Sequence, residues 1–348
     1  MTVREQFLRE AGKRILVKDG PYGTAIQNEA LDEAGYKGAY ELGFDQKGNN
    51  DLLNLTQPAI IAKICDRYIA AGAHVLATNT FNSTRISQAD YGAEALVPQI
   101  NRRAAEIIRE RITAATQADG IPRFVAGAMG PTNKTLSLSP DVEDPGFREV
   151  TFDEVAEVYL EQASALLEGG ADFILVETIF DTLNAKAAIM AVRTLAGQMD
   201  RDIPLMLSMT LTDLSGRNLS GHTVEAFWNA VRHAKPLTVG LNCSFGAEQL
   251  RPHIRVLSDN ANTLVMAYPN AGLPNDLGEY DELPETTSAL VREWAENGQV
   301  NVLGGCCGST PEHIAAIARA CEGLAPRPLP DLTTITRLAG LEPFEIAA

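Results

Sequence analysis

Basic residues are scarce in this chain: 29 Lys and Arg stand against 45 Asp and Glu in 348 residues, a formal net charge of −16. A partner gripped through phosphates calls for a basic face, so the balance argues against nucleic acid and anionic membrane. No apolar run approaches the ~20 residues of a spanning helix, and Met1-Thr2-Val3-Arg4-Glu5-Gln6 lacks the apolar region of a signal peptide. A cytoplasmic location is the expectation. Cysteine is sparse and odd in number, five in all, which suits a reducing compartment where thiols serve metals or catalysis rather than disulfides. Local C-x-x-C pairs are missing, and His74, His222, His233, His253 and His313 show no metal-ligand spacing. Neither a zinc finger nor a His-rich hydrolytic zinc centre is therefore expected. A content of 45% hydrophobic and 21% charged residues is ordinary for a globular protein, enough for one large domain or two small ones.

Set in that scarcity, Gly304-Gly305-Cys306-Cys307-Gly308 puts two adjacent thiols between glycines. Neighbouring cysteines are poorly placed to bridge one another, because a disulfide needs a Cα separation and dihedral that a trans peptide opposes. Flanking glycines let the backbone turn so that both sulfurs face one soft ion, for which zinc is the natural choice. Cys243, in Val239-Gly240-Leu241-Asn242-Cys243-Ser244, is the third candidate ligand; like Cys306 it follows a short apolar run. On chemistry alone, metal, core and redox roles remain open for these thiols. Cys65 lies beside a helical stripe and suits a small buried hydrophobe, and Cys321 is too remote from the pair to join it.

Hydrophobic periodicity divides the chain into eight strand-then-helix units. Strands are expected at Ile15 to Val17, His74 to Thr78, Arg123 to Ala128, Asp172 to Val176, Pro204 to Met209, Leu237 to Leu241, Thr263 to Ala267 and Asn301 to Leu303. Helices are expected from Pro58 to Ala71, Ala93 to Ala118, a capped start at Thr151 with Glu154, Leu183 to Leu195, Val224 to His233, Glu248 to Leu257, Pro284 to Glu296 and Pro311 to Ala320. Eight such units predict an α/β fold of the (β/α)8 TIM-barrel type, which needs ~250 residues. The surplus falls in two long connections, after the first and third strands. The barrel is expected over residues 1–323, and Leu324-Ala325-Pro326-Arg327-Pro328-Leu329-Pro330 opens a stiff extended tail over 324–348.

A barrel of this kind gathers its active site at the C-terminal strand ends. That rule places Asp19, Asn79, Glu177, Asn242, Cys243, Asn270, Cys306 and Cys307 on one rim. Three thiolates on Zn²⁺ leave a position open for an exchangeable ligand, and metal coordination deprotonates a thiol whose free pKa is ~8.5. Alkyl transfer to a substrate thiol follows more naturally than hydrolysis. Asp19 and Glu177 either cap turns and pair with basic side chains or receive a substrate ammonium; a substrate carboxylate would meet the helix start at Ser309-Thr310-Pro311-Glu312.

The residues resemble a known family. Asp19-Gly20 with Gly23-Thr24, Gly240-Leu241-Asn242-Cys243, Tyr268-Pro269-Asn270-Ala271-Gly272 and Gly304-Gly305-Cys306-Cys307-Gly308 together are similar to the homocysteine S-methyltransferases. Asn79-Thr80-Phe81-Asn82-Ser83-Thr84, Gly130-Pro131-Thr132-Asn133-Lys134, Glu177-Thr178-Ile179-Phe180-Asp181-Thr182 and Thr223-Val224-Glu225-Ala226-Phe227-Trp228 narrow the resemblance. They point to the homocysteine-binding module at the N-terminus of cobalamin-dependent methionine synthases. The resemblance implies zinc held by Cys243, Cys306 and Cys307, with Asn270 filling the fourth position until the substrate displaces it, and amino-acid contacts from Asp19 and Glu177. It implies methylation of homocysteine to methionine. Pro21-Tyr22 departs from the Ala/Gly-Met usual between Asp-Gly and Gly-Thr. Thr336-Arg337-Leu338-Ala339-Gly340-Leu341-Glu342-Pro343 resembles the linker to a folate module, and no Asp-x-His-x-x-Gly cobalamin motif is present. The expected donor is therefore methylcobalamin carried on a separate folate- and cobalamin-binding protein. The alternatives are a small donor such as S-methylmethionine or betaine, and a zinc-thiolate subunit that accepts methyl groups in demethylation or serves as a zinc or redox sensor.

Overall fold

The computed structural model describes residues 1–333 and 335–346. Its central element is a parallel eight-stranded sheet in the order β1-β8-β7-β6-β5-β4-β3-β2. The strands are β1 Leu16–Val17, β2 Val75–Ala77, β3 Phe124–Met129, β4 Phe173–Ile179, β5 Leu205–Met209, β6 Thr238–Gly246, β7 Leu264–Asn270 and β8 Val302–Leu303. A parallel bridge between Lys18 and Val75 joins the two ends of the sheet, with Asp19 N–H donating to Val75 O at 2.9 Å and His74 N–H to Val17 O at 2.7 Å. The molecule is a (β/α)8 TIM barrel.

Strand residues alternate between two cores, as the two-residue period of a strand requires. Leu16, Val75, Phe124, Phe173, Leu175, Met206, Met266 and Val302 fill the barrel interior, while Val17, Leu76, Val125, Ile174, Leu207, Val239 and Val265 meet the surrounding helices. Burial on both faces explains why the strands read as continuous apolar runs. Among the elements that the sequence reading did not foresee is the helix Val3–Ala11, whose Thr2 and Glu5 make a complete capping box. It closes the N-terminal end of the barrel by packing Phe7 edge-on against Phe124 and Phe173, with ring centroids 5.2 and 5.4 Å away. The opposite end, where the strands finish, is left to chemistry.

The expected helices recur with ends shifted by a few residues, and Pro284–Glu296 recurs unshifted. The capping box at Thr151 forms as its spacing predicts, with Glu154 N–H on Thr151 Oγ1 at 3.3 Å and Thr151 N–H on Glu154 Oε2 at 2.7 Å. The long connection after β1 is not plain loop; it contains short helices at Tyr22–Gln27, Glu33–Lys37 and Leu53–Thr56. Past Cys321 the chain turns under the barrel. There Arg327 is buried, its guanidinium donating to the carbonyls of Ser258, Ala261 and Thr263, and burial lowers its pKa to about 10. The chain then forms an antiparallel hairpin, β9 Thr336–Ala339 with β10 Pro343–Ile346, tied to the helix Val224–Val231 where Thr223 N–H donates to Leu341 O at 3.1 Å. No described helix is long and apolar enough to cross a membrane.

The seam between β1 and β2 gives the fold an acid-sensitive point. His74 Nδ1 accepts from Val17 N–H at 3.1 Å, which requires the neutral ring. Burial, aided by the Arg14 and Arg123 charges, lowers its pKa from 6.5 to about 4. A histidine whose folded pKa is depressed contributes stability that is complete above pH 6.5 and lost as the pH falls toward 4. In metal-free protein, moving from pH 7 to pH 5 should cost up to about 2 kcal/mol through this residue. Urea midpoints of wild type and His74→Gln at the two pH values check it: the variant should show the smaller drop, and equal drops would remove His74 from the account.

Candidate metal and substrate site

Asp19, Asn79, Glu177, Asn242, Cys243, Asn270, Cys306 and Cys307 come from six strand ends and meet at the C-terminal end of the barrel, as a barrel's common strand direction requires. β6 runs farther than expected, through Gly246, because its register with β7 shifts between Asn242 and Gly246. Inside that bulge Cys243 and Ser244 take φ values of 61° and 60°, left-handed conformations that are costly for residues with a Cβ and gather at functional sites. Asn242 holds the bulge in place. Its Oδ1 accepts from Ser208 Oγ at 2.7 Å and Thr178 N–H at 3.1 Å, and its Nδ2 donates to Thr178 Oγ1 at 2.9 Å and faces Cys306 Sγ at 4.0 Å.

The glycines around the cysteine pair work differently from one another. Only Gly308, at φ 78°, uses a conformation closed to other residues; Gly304 is needed for space, since a Cβ there would stand 2.9 Å from Lys18 Cβ. Together they bring the Cys243, Cys306 and Cys307 sulfurs within 4.8 Å of one another, with Cys243 Sγ and Cys307 Sγ 3.8 Å apart. Such crowding divides the protons unevenly. Hydrogen bonds from Cys243 and then Cys306 hold the Cys307 thiol well below its ordinary value. Bonds to Cys243 and Cys307, with burial, push Cys306 well up.

Three sulfurs this close form a group able to hold a metal ion, and the end of β7 runs beside them, Cys306 N–H donating to Pro269 O at 2.8 Å and Ala271 N–H to Cys307 O at 2.9 Å. Asn270 ends β7 buried, and its Oδ1 has no hydrogen-bond partner among the described residues. A sealed, unpaired carbonyl oxygen is costly in a folded protein unless something outside the chain meets it. Three thiolates and one amide oxygen fit a tetrahedral, sulfur-rich zinc centre.

Beside the sulfurs lies a cleft of about 250 Å³, lined among others by Lys18, Tyr22, Asp51, Glu177, Tyr268 and the three cysteines. Glu177 Oε2 accepts from Tyr268 Oη at 3.0 Å; burial raises its pKa, and Lys18 and Tyr268 oppose the rise. Asp19 is wholly buried, Oδ1 on Lys18 Nζ at 2.9 Å and Oδ2 on Ala77 N–H at 2.8 Å. Residues 309–312 do not line the cleft, and Thr310 N–H is already given to His313 Nδ1 at 3.2 Å. The helix start is thus capped by its own side chain rather than turned toward a substrate carboxylate. Pro21-Tyr22 forms part of the cleft wall, with Pro21 O accepting from Tyr68 Oη at 2.9 Å.

A family model described as homocysteine S-methyltransferase matches residues 16–321. The chain belongs to that family. Among solved structures, the homocysteine methyltransferase MmuM from Escherichia coli superposes with a TM-score of 0.71 in its oxidized form, at 19% identity over 92% of this chain and 99% of that one. Its metallated form gives a TM-score of 0.70 at 20% identity, covering 91% and 99%. Identities this low carry the fold and leave the residues to be argued from their own geometry.

Within this homocysteine S-methyltransferase, sequence reasoning missed Lys18, Tyr268 and Asp51 as members of the cleft. Asp51 is nearly sealed, takes Ser83 Oγ at 2.7 Å and Asn82 N–H at 3.0 Å on one oxygen, and meets no described basic side chain. Burial raises its pKa to about 6. The only signal in the sequence was its place after Gly48-Asn49-Asn50 in a connection too long to be mere turn.

Proposed function

We propose that this chain transfers a methyl group to the thiol of homocysteine, forming methionine, with zinc held by Cys243, Cys306, Cys307 and Asn270. The observation that carries the reading is the gathering of three sulfurs within 4.8 Å of one another beside an amino-acid-sized cleft; the unpaired Asn270 carbonyl oxygen at the end of β7 adds to it. When bound, zinc would lower the pKa of an incoming thiol while its sulfur ligands keep it a weak Lewis acid. The family assignment and the metallated form of MmuM support the same reading.

The chain's own residues do the positioning. Tyr268 donates to Glu177 and fixes the carboxylate toward the cleft, where it receives the substrate ammonium. Glu177→Ala should weaken homocysteine binding about ten- to hundredfold, the worth of one charge-assisted contact, with zinc content intact. An unchanged Kd in that variant would make Glu177 a structural residue.

At about 250 Å³ the cleft is smaller than the ~300–1,000 Å³ of sites that enclose drug-sized ligands. A corrin ring therefore stays outside, and its methyl group comes in through the mouth. The donor in this reading is methylcobalamin on a separate folate- and cobalamin-binding protein that docks transiently over the strand ends. The thiol gives up its proton, the sulfur–carbon bond forms, and the cobalt keeps the electron pair of the broken carbon–cobalt bond. Zinc-loaded chain supplied with homocysteine and dilute methylcobalamin should make methionine slowly, and faster once that carrier protein from the same cell is added. Efficient use of S-methylmethionine or betaine with none of methylcobalamin would replace the donor, and turnover of methyltetrahydrofolate by the chain alone, without corrinoid, would refute the separate carrier.

A further inference from the structure

Lys18 is the only Lys, Arg or His among the residues lining the cleft. Its side chain is 5% exposed, its stem is packed against Gly304, and its Nζ lies 4.6 Å above the Tyr268 ring. An ammonium carries three N–H donors. One reaches Asp19 Oδ1 at 2.9 Å, and no other described side chain or carbonyl accepts from Nζ. Two donors of a nearly sealed cation are therefore free on the wall of a cleft.

An amino-acid thiol enters such a cleft with an ammonium and a carboxylate, and each needs a partner once water is stripped away. Glu177 and Asp51 offer negative charge on the lining; positive charge comes from Lys18 alone. The helix start at residues 309–312 is not on the lining. From this we infer that Lys18 is the anchor for the substrate's α-carboxylate, and that Asp19 is a positioning residue that holds Lys18 in place from beneath. The inference rests on the homocysteine reading above and deepens it: the cleft selects α-amino acid thiols over simple aminothiols. Lys18 is held on both sides, by the ion pair and by the Tyr268 face, so the carboxylate meets a donor that is already ordered. A lysine serving only as counter-ion to Asp19 would be indifferent to the substrate's carboxylate, and this is the difference the experiment reads.

The test compares L-homocysteine with 3-aminopropane-1-thiol, which has the same thiol and amine but hydrogen in place of the carboxylate. Calorimetric titration of the zinc-loaded full chain should show wild type favouring homocysteine by about ten- to hundredfold, the worth of a charge-assisted hydrogen bond. In Lys18→Met the preference should collapse to within about threefold by loss of homocysteine affinity alone, and Lys18→Arg should restore part of it. Because Lys18→Met leaves Asp19 buried without its counter-charge, the Lys18→Met/Asp19→Asn pair is measured beside it. The ratio of two ligands on one protein does not depend on the fraction folded. A wild-type ratio retained in either Lys18→Met protein overturns the assignment while leaving the homocysteine reading intact, as does a wild type that binds both thiols equally. A wild type that binds neither thiol takes down both.

Discussion

Cys306→Ala protein, purified with zinc and dialysed against a chelator, should retain no stoichiometric metal and should form no methionine, while its far-UV circular dichroism matches wild type. The two outcomes separate because different atoms are responsible for each. Metal retention depends on sulfurs gathered within 4.8 Å, and removing one leaves two thiolates and an amide, too few for a protein zinc site of this softness. Folding depends on the interior stack of Leu16, Phe124, Phe173, Met206, Met266 and Val302, closed from below by Phe7. Cys306 is only partly buried and packs against that stack without being one of its buried members. Cys243→Ala and Cys307→Ala should behave alike. Full zinc content in the Cys306 variant would sink the three-sulfur assignment whatever the activity.

Asp19→Ala should instead damage the fold. Removing this carboxylate takes from Lys18, 5% exposed, the one described group that accepts a hydrogen bond from its ammonium, and takes the acceptor from Ala77 N–H at the seam where β1 meets β2. Breaking a buried pair from one side costs about 3–5 kcal/mol. Removing both charges, in Lys18→Met/Asp19→Asn, should recover most of that loss, since an apolar or neutral pair of similar volume is often tolerated. Thermal or urea midpoints of the two variants against wild type read the effect directly. An Asp19→Ala protein with the wild-type midpoint would show that the pair adds nothing to the seam. The sequence pointed to Asp19 as a substrate contact; in the structure its oxygens accept from Lys18 and Ala77, and in the inference above it bears on the substrate through Lys18.

The eight-unit barrel and the rim of candidate residues were legible because both depend on local periodicity and on strand direction. An apolar run followed by an amphipathic helix, repeated eight times, leaves few topologies, and a parallel barrel sends every strand's last residue to the same end. The three cysteines were readable for the same reason: each follows a short apolar run. What could not be read locally was which way a side chain turns once the sheet closes. Lys18 follows β1 and looked like the start of a turn, yet it is bridged to Val75, stands on the cleft lining and holds its ammonium over the Tyr268 ring. Asn270's unpaired oxygen, the left-handed pair at Cys243 and Ser244, and the Phe7 plug likewise exist only after distant segments meet. The sequence by itself determined the barrel, its chemical end and the sulfur set, because those follow from pattern and direction. Only the tertiary structure decided which charges pair and which donors remain free, because a buried charge is partnered across the sheet by residues that share no neighbourhood in the chain.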